Sequence, residues 1–150
     1  MTPRRLTPAD LPAVADLEKD VFFAPWSVGS LALLCTDRAF GYGIFDETGR
    51  ALSYAGMLTV LDEGQITNVA TREEARRRGY AVAVLSALLD EAKRRGVTVV
   101  TLEVRASNAP ALTLYRRFGF EKAGERPHFY NHPDETALVL SRRLTGASEV

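Results

Sequence analysis

The feature that most constrains the fold of this chain is a long amphipathic helix that one glycine separates from an almost wholly apolar strand. From Ala81 to Arg95, apolar side chains recur at helical spacing and form one face: Val82, Leu85, Leu88, Leu89 and Ala92. Basic residues and Gly96 then end the helix. The next residues, Val97 to Val104, are nearly all β-branched or apolar, which predicts an interior strand buried on both faces. The pair of elements indicates an α/β fold.

Local signals place further helices and strands on both sides of this unit. Helices are predicted after the caps Thr7, Ser27 and Asn108, and they end at Pro25, near Cys35 and at Gly119. One short strand precedes Thr7. The other predicted strands are Phe40–Phe45, Ala51–Val60, Gly64–Ala70, Phe120–Arg126 and Glu135–Leu144. The order of elements predicts a mixed α/β sheet.

The composition limits the classes of function. The chain has 150 residues, 46% of them hydrophobic, so we expect one domain over 1–150, with 145–150 as a loose tail. Nineteen basic residues balance nineteen acidic ones, which argues against direct nucleic-acid binding. A lone cysteine, Cys35, and two histidines supply neither a disulfide nor a zinc site, so no metal is expected. No apolar span or signal-peptide pattern is present, and we expect a cytoplasmic protein without membrane contacts.

A basic turn that contains a glycine lies directly before the long helix. Its sequence is Arg76-Arg77-Arg78-Gly79-Tyr80-Ala81. The first free amides of the helix point into this turn, and a helix N-terminus attracts anions. Gly79 and Ala81 let a phosphate approach the backbone, and arginines are bidentate phosphate donors. The turn therefore predicts a diphosphate site, although a solvated basic turn would have the same sequence. The P-loop and Rossmann patterns are absent.

A second group of polar residues follows the apolar strand. Glu103 lies near the end of the strand, Asn108 caps the next helix, and Tyr115 follows two turns later on the same helix face. A carboxylate can take the proton of an amine, and a phenol with a pKa near 10 can protonate a leaving thiolate. This chemistry fits acyl transfer to an amine. The alternative is structural: Glu103 pairs with an arginine such as Arg105, and Tyr115 is a core aromatic residue.

Together these segments resemble the GNAT superfamily of acyl-CoA N-acetyltransferases. Within it they look like the RimI-like enzymes, which acetylate the N-terminal alanine of a small-subunit ribosomal protein. The resemblance rests on Arg76-x-x-Gly79-x-Ala81 and on Pro25–Ser27, Leu61–Glu63, Asn68–Ala70, Leu102–Asn108 and Leu114–Phe120. It implies the GNAT fold, a mixed and mostly antiparallel central sheet of six to seven strands flanked by about four helices.

The resemblance also implies how the cosubstrate acetyl-CoA is bound. The backbone of Val69, Ala70 and Thr71 would pair with the pantetheine arm like an added strand, and Asn108 would contact the same arm. The pyrophosphate would be held by the turn and the first helical residues: Arg76, Arg77, Arg78, Gly79, Tyr80, Ala81 and Val82.

For the reaction itself, the resemblance implies that Glu103 is the general base and Tyr115 the general acid of a direct transfer. Many relatives carry a glutamate base on the strand before the basic turn, but this chain has Gln65, Thr67 and Asn68 there. Glu103 is therefore the better candidate.

Two aromatic residues are candidates for the acceptor site. Tyr130 is placed beside the acceptor's amino terminus by the resemblance, and Trp26, just after Pro25 at a helix start, suits a lip over that site. The turn from Tyr130 to Asp134 is shorter than in the RimI pattern, so the identity of the acceptor is less constrained than the reaction.

The function expected from these residues is acetylation of the N-terminal α-amine of an alanine-initiated ribosomal protein. Two alternatives stay open, namely a small amine or lysine side chain as the acceptor, and a catalytically silent acetyl-CoA sensor. An open groove across the acidic turns Asp62-Glu63 and Asp134-Glu135 would favour a peptide, and a closed pocket would favour a small amine. These carboxylates are simple turn residues or attract a basic peptide. The oligomeric state is not determined, with a monomer favoured.

Overall fold

In the computed structural model, which describes residues 1–144, seven strands form one mixed sheet. They are β1 (Arg4–Arg5), β2 (Ala39–Phe45), β3 (Ala51–Val60), β4 (Glu63–Thr71), β5 (Val99–Arg105), β6 (Glu121–Tyr130) and β7 (Glu135–Arg143). Their spatial order is β1-β2-β3-β4-β5-β7-β6, and only the β4–β5 pair is parallel. The predicted mixed, mostly antiparallel sheet is confirmed. The predicted tail, 145–150, lies outside the described residues.

Four α-helices connect and cover these strands within the same residues. They are α1 (Leu11–Val21), α2 (Val28–Leu31), α3 (Tyr80–Arg94) and α4 (Ala109–Arg117). The predicted caps of the second and fourth helices are present. Ser27 Oγ accepts from the amide of Ser30 at 3.2 Å, and Asn108 Oδ1 accepts from the amide of Ala111 at 3.2 Å. Each replaces a hydrogen bond that the first helical turn lacks. None of these helices is long and apolar enough to cross a membrane.

The two faces of the sheet carry separate cores. Under α3 and α4, Leu85 and Leu88 pack with β-strand residues that include Leu102. On the opposite face, Leu17 of α1 and Leu31 of α2 pack with Tyr54. Each helix therefore buries its apolar stripe against one face of the sheet.

The prediction that β5 is buried on both faces is wrong. Val100, Leu102 and Val104 are buried under α3 and α4, whereas Thr101 and Glu103 are only half-buried on the opposite face. No residue of β5 belongs to the described core under α1 and α2. β-Branched residues favour strands whether one face or both are covered, so the composition of this segment could not distinguish the two cases.

Two irregularities of β4 determine what faces the open side of the sheet. Its ladder with β3 slips by one residue, from Met57–Ile66 to Gly56–Asn68, which leaves Thr67 as an extra residue. Because side chains alternate along a strand, this extra residue turns Gln65 and Asn68 toward the same face, that of α1 and α2. In addition, β4 pairs with β5 only from Glu63 to Gln65.

Candidate active site

The opening between β4 and β5 is the geometrical centre of the site. Beyond Gln65 and Thr101 the two parallel strands have no ladder between them. Residues 69–71 of β4 pair with β3 on one side only, so their other backbone edge is open to an added strand. These are the residues predicted to pair with a pantetheine arm. Glu103 lies on the neighbouring unpaired part of β5.

Glu103 is half-buried and accepts a hydrogen bond across the opening. Gln65 Nε2 donates to Glu103 Oε1 at 3.0 Å. The alternative pairing with Arg105 is not formed, because Arg105 binds the Glu135 carboxylate at 3.3 Å and donates to the carbonyl of Asn131 at 2.8 Å. In the part of the chain that the structure describes, Glu103 has no cationic partner. Its second oxygen is free to accept a proton.

Tyr130 lies within electrostatic reach of both Tyr115 and Glu103. Tyr115 is 7% exposed and packs edge-on against Phe120, with ring centroids 5.8 Å apart. Burial raises the pKa of Tyr115 and the charge of Tyr130 adds to that effect, while burial followed by the charge of Glu103 raises the pKa of Tyr130. Tyr130 at the end of β6 is therefore the phenol that relates to both Tyr115 on α4 and Glu103 on β5.

The buried setting of Tyr115 fits the core interpretation as well as the catalytic one. Its ring belongs to the core under α3. Within residues 1–144 its hydroxyl has no hydrogen-bond partner. Because its pKa is raised, the phenol keeps its proton throughout the neutral range, as a proton donor must.

The basic turn has the backbone geometry of an anion site. Gly79 takes a left-handed conformation with φ of +80° and serves as the N-cap of α3, and Arg77 has φ of +64°. A Cβ on Gly79 would meet no atom within 4 Å, so the space in front of the helix is open. Arg77 and Arg78 are exposed and, among the described residues, have no carboxylate partner. These features fit the pyrophosphate of acetyl-CoA.

Asn108 lies at the other end of the opening, as the cap of α4. Its side-chain oxygen is occupied by the amide of Ala111. Within residues 1–144 its amide nitrogen makes no hydrogen bond, so both N–H groups can donate to a ligand.

The two predicted acceptor residues, Trp26 and Tyr130, lie in segments that contact each other. Phe23, three residues before Trp26, stacks on His132 of the β6–β7 turn with ring centroids 4.4 Å apart. Arg105 lies over the Tyr130 ring at 4.5 Å from its centroid. The segment before α2 and the β6–β7 turn therefore form two walls that meet over the open face of β5.

Sequence reasoning missed Glu18, whose carboxylate supports one of these walls. The side chain is 0% exposed and accepts from the backbone N–H of Trp26 at 2.9 Å. A signal was present: Leu11, Val14, Glu18 and Val21 share one helical stripe, so a charge stands among apolar residues.

The acidic turns differ in how far their carboxylates are already paired. Glu135 binds Arg105 and the amide of Ser107, Asp134 lies 2.8 Å from His128, and Asp62 accepts from Thr98 at 3.0 Å. Glu63 is exposed and, within the described residues, has no side-chain hydrogen bond or ion pair.

Glu63 lines a cavity of about 180 Å³ that begins beside the Gln65–Glu103 hydrogen bond. Its walls are Leu58, Val60, Glu63, Gly64, Gln65 and Thr101. Three of these, Val60, Glu63 and Gln65, are exposed, so this is an open groove. A larger cavity of about 450 Å³ between α3, α4 and β7 contains none of the predicted site residues. Across residues 1–144 no cluster of three His, Cys, Asp or Glu side chains could hold a metal ion.

Comparison with known proteins gives four relevant matches. Residues 11–120 match the model of the acetyltransferase (GNAT) family. The [ribosomal protein bS18]-alanine N-acetyltransferase of Escherichia coli strain K12 is 35% identical over 138 residues, which is 91% of this chain and 93% of that protein. The crystal structure of the E. coli ribosomal-protein-S18-alanine N-acetyltransferase superposes with a TM-score of 0.87 at 33% identity, covering 97% of this chain and 96% of that one. Ard1 from Thermoplasma volcanium shares the fold, with a TM-score of 0.83 at 22% identity over 97% of this chain and 98% of that one.

Proposed function

The chain belongs to the acetyltransferase (GNAT) family, and we propose that its acceptor is the N-terminal alanine of ribosomal protein bS18. It is an acetyl-CoA-dependent N-acetyltransferase, as the resemblance to the RimI-like enzymes predicted, and acetyl-CoA is its cosubstrate. The observation that carries the acceptor is the 35% identity, along 91% of the chain, to the E. coli enzyme with that substrate in its name.

On the cosubstrate side, the proposal assigns binding to backbone groups. The open edge of Val69, Ala70 and Thr71 would receive the pantetheine amides, with Asn108 donating from the opposite side. The free amides of the first turn of α3, with Arg76 to Arg78 around them, would hold the pyrophosphate. The open space at Gly79 and the left-handed turn there support this assignment.

On the acceptor side, Glu103 would take the proton of the incoming ammonium group and free the nucleophilic lone pair. The amine would attack the thioester directly, so no covalent enzyme intermediate forms. Tyr115 would then give its proton to the departing thiolate of coenzyme A. The free oxygen of Glu103 and the raised pKa of Tyr115 support these roles. A neutral amine and a protonated phenol are both required at the start, and this pairing of groups provides them.

The acceptor would lie between the two walls that carry Trp26 and Tyr130. The groove along Val60, Glu63 and Gln65 lies at only one of the two acidic turns, and none of its walls comes from the Asp134-Glu135 turn. It supports a peptide rather than a small amine, since an extended chain can leave the site along it. The unpaired carboxylate of Glu63 would attract a basic residue after the first one.

The remaining predictions belong to the same proposal. The chain would act as a single domain over residues 1–150 and as a monomer, in the cytoplasm where ribosomal proteins are made. It would contact the amino-terminal segment of its protein substrate without binding nucleic acid, membrane or metal. Sedimentation of the purified protein tests the monomer, and a second species of twice the mass would contradict it.

The experiment that tests the function measures thiol release from acetyl-CoA with a panel of acceptors. We expect turnover with alanine-initiated peptides from the start of bS18 and none with the same peptides after their N-termini are blocked. Turnover confined to small amines or free lysine would assign the other acceptor class. Tight acetyl-CoA binding with no turnover on any acceptor, including intact bS18, would indicate a sensor.

A further inference from the structure

The buried carboxylate of Glu18 joins three separate parts of the chain. The Tyr54 hydroxyl on β3 donates a hydrogen bond to Glu18 Oε2, and the Asn68 side chain on β4 donates a second one to the same oxygen at 2.9 Å. The backbone amide of Trp26 donates to Oε1 at 2.9 Å. Within residues 1–144, no cation lies at ion-pair distance. The negative charge is therefore stabilised by neutral donors alone.

This arrangement is a costly way to stabilise a fold. Removing a carboxylate from water carries a penalty of several kcal/mol, and a buried charge persists only where its hydrogen bonds are complete. The same helix attaches to the sheet by another route, since Asp16 of α1 binds the buried Arg72 at 2.8 Å. Glu18 is thus not needed as the only link between α1 and the sheet.

What Glu18 adds is a fixed distance between the two sides of the site. Trp26 belongs to the wall before α2, whose Phe23 stacks on the β6–β7 turn. Asn68 is the residue before Val69, and the extra residue Thr67 turns it toward the same face as Gln65, the hydrogen-bond donor to Glu103. One carboxylate therefore ties the acceptor wall to the strand predicted to hold the acetyl donor.

We propose that Glu18 is a positioning residue for binding of the amine acceptor. Its carboxylate holds Trp26 and the wall before α2 at a fixed distance from β4. This inference rests on one part of the proposed function, namely that a primary amine binds beside this wall. It does not require that the amine belongs to bS18. A wall that is held in place binds the acceptor at once, whereas a wall that moves in the free enzyme must first be ordered, and that ordering weakens binding. Releasing Trp26 would therefore weaken acceptor use while acetyl-CoA binding is kept.

Trp26 is the only tryptophan of the chain, so its fluorescence reports directly on this wall. For Glu18→Ala we expect greater quenching of that fluorescence by acrylamide, together with an acceptor KM raised about 10-fold and an unchanged Kd for acetyl-CoA. Glu18→Gln should keep both readouts within about twofold of wild type. Its oxygen can still accept from the Trp26 amide, while the Asn68 amide and the Tyr54 hydroxyl can turn to accept from its NH₂ group.

The matched control is Asp16→Ala. Asp16 lies on α1 like Glu18, and the variant removes one ion-pair partner of the buried Arg72. It should lower the unfolding temperature without changing the quenching of Trp26 or the acceptor KM. All variants are assayed with whichever amine the wild type acetylates best in the acceptor panel, so a failure of the bS18 assignment is seen separately, in the wild-type enzyme.

The proposal is overturned if folded Glu18→Ala keeps the wild-type acceptor KM, or if its acetyl-CoA Kd rises as much as its acceptor KM. It is also overturned if Glu18→Gln raises the acceptor KM while Trp26 stays protected. Should Glu18→Ala not fold, Glu18→Asp keeps the charge on an arm one methylene shorter. In that variant quenching and acceptor KM must rise together, and a change in neither or in only one contradicts the proposal.

Discussion

The two halves of the candidate site are built in different ways. The half proposed to face the acetyl donor consists of one short continuous segment, the basic turn and the first residues of α3 from Arg76 to Val82, together with an open strand edge, and it presents mostly backbone groups. The half proposed to hold the acceptor is assembled from side chains that lie far apart in the chain: Glu18, Trp26, Glu103 and Tyr130. A backbone site recognises a chemical group common to many reactions, whereas side chains on separate elements can change one by one. Within one fold, the acceptor is therefore the more variable partner.

Replacing Glu103 should have the largest effect and should separate the two halves most clearly. Glu103→Gln keeps the hydrogen bond to Gln65 but cannot take a proton, so kcat should fall by about 10² to 10⁴. The Kd for acetyl-CoA, measured by calorimetry, should stay near that of wild type. Turnover like that of wild type would remove Glu103 from the mechanism.

Tyr115→Phe should act at the departure of the thiolate and lower kcat by about 10². Because burial raises the pKa of Tyr115, the phenol is protonated below that raised value, and loss of its proton should cause no fall in wild-type kcat up to about pH 10. The assignment would be contradicted if the kcat of the wild type falls between neutral pH and pH 10 while the kcat of Tyr115→Phe does not.

Gly79→Val tests the backbone half alone. Valine at φ of +80° is strained by about 1 to 3 kcal/mol, and its side chain would enter the space assigned to the pyrophosphate. We expect the acetyl-CoA Kd to rise about 10-fold or more while the acceptor KM is unchanged.

Gly49→Val provides the control for that strain, because Gly49 has a similar φ of +88° but lies in the β2–β3 turn. A Cβ on Gly49 would also meet no atom within 4 Å, so the two positions offer a side chain the same open space. The variant should lose comparable stability and bind acetyl-CoA normally. Equal losses of affinity in the two variants would attribute the effect of Gly79→Val to folding.

Glu63→Gln tests the groove on the acceptor half, with a smaller effect because the carboxylate is exposed. The KM of an alanine-initiated peptide with basic residues after the first should rise about threefold at low ionic strength. A peptide with neutral residues at those positions should be unaffected. Glu47→Gln, in the exposed β2–β3 turn, is the control, and an equal rise there would indicate a long-range charge effect.

Glu91, on α3 outside both halves, should change stability alone. Hydrogen bonds, led by that from Arg95, lower the pKa of its carboxyl from 4.5 to about 2. A lowered folded-state pKa stabilises the protein above about pH 4.5, and that contribution is lost as the pH falls toward 2. Glu91→Gln should reduce the unfolding temperature by about 2 to 4 °C at pH 7 and by less at pH 3, with both substrates bound normally. A difference that does not shrink at pH 3 would contradict the ion-pair explanation.

Most elements could be predicted because their signals are local. Ser27 and Asn108 cap helices through their own side chains, and Gly119 ends α4 with φ of +82°, so neighbouring residues contain the information. The error on β5 has the opposite cause. Whether a strand is covered on one face or two depends on where α1 and α2 pack, and those helices lie far earlier in the chain.

The sequence by itself determined the α/β class, the left-handed basic turn proposed to bind an anion, and the residues proposed as acid and base, because each depends on a few neighbouring residues. Only the tertiary structure decided that Arg105 pairs with Glu135 rather than Glu103, and that the extra residue in β4 turns Asn68 toward Glu18. Strand register and the packing of distant helices are cooperative properties of the whole sheet, and they bring groups together that no local pattern relates.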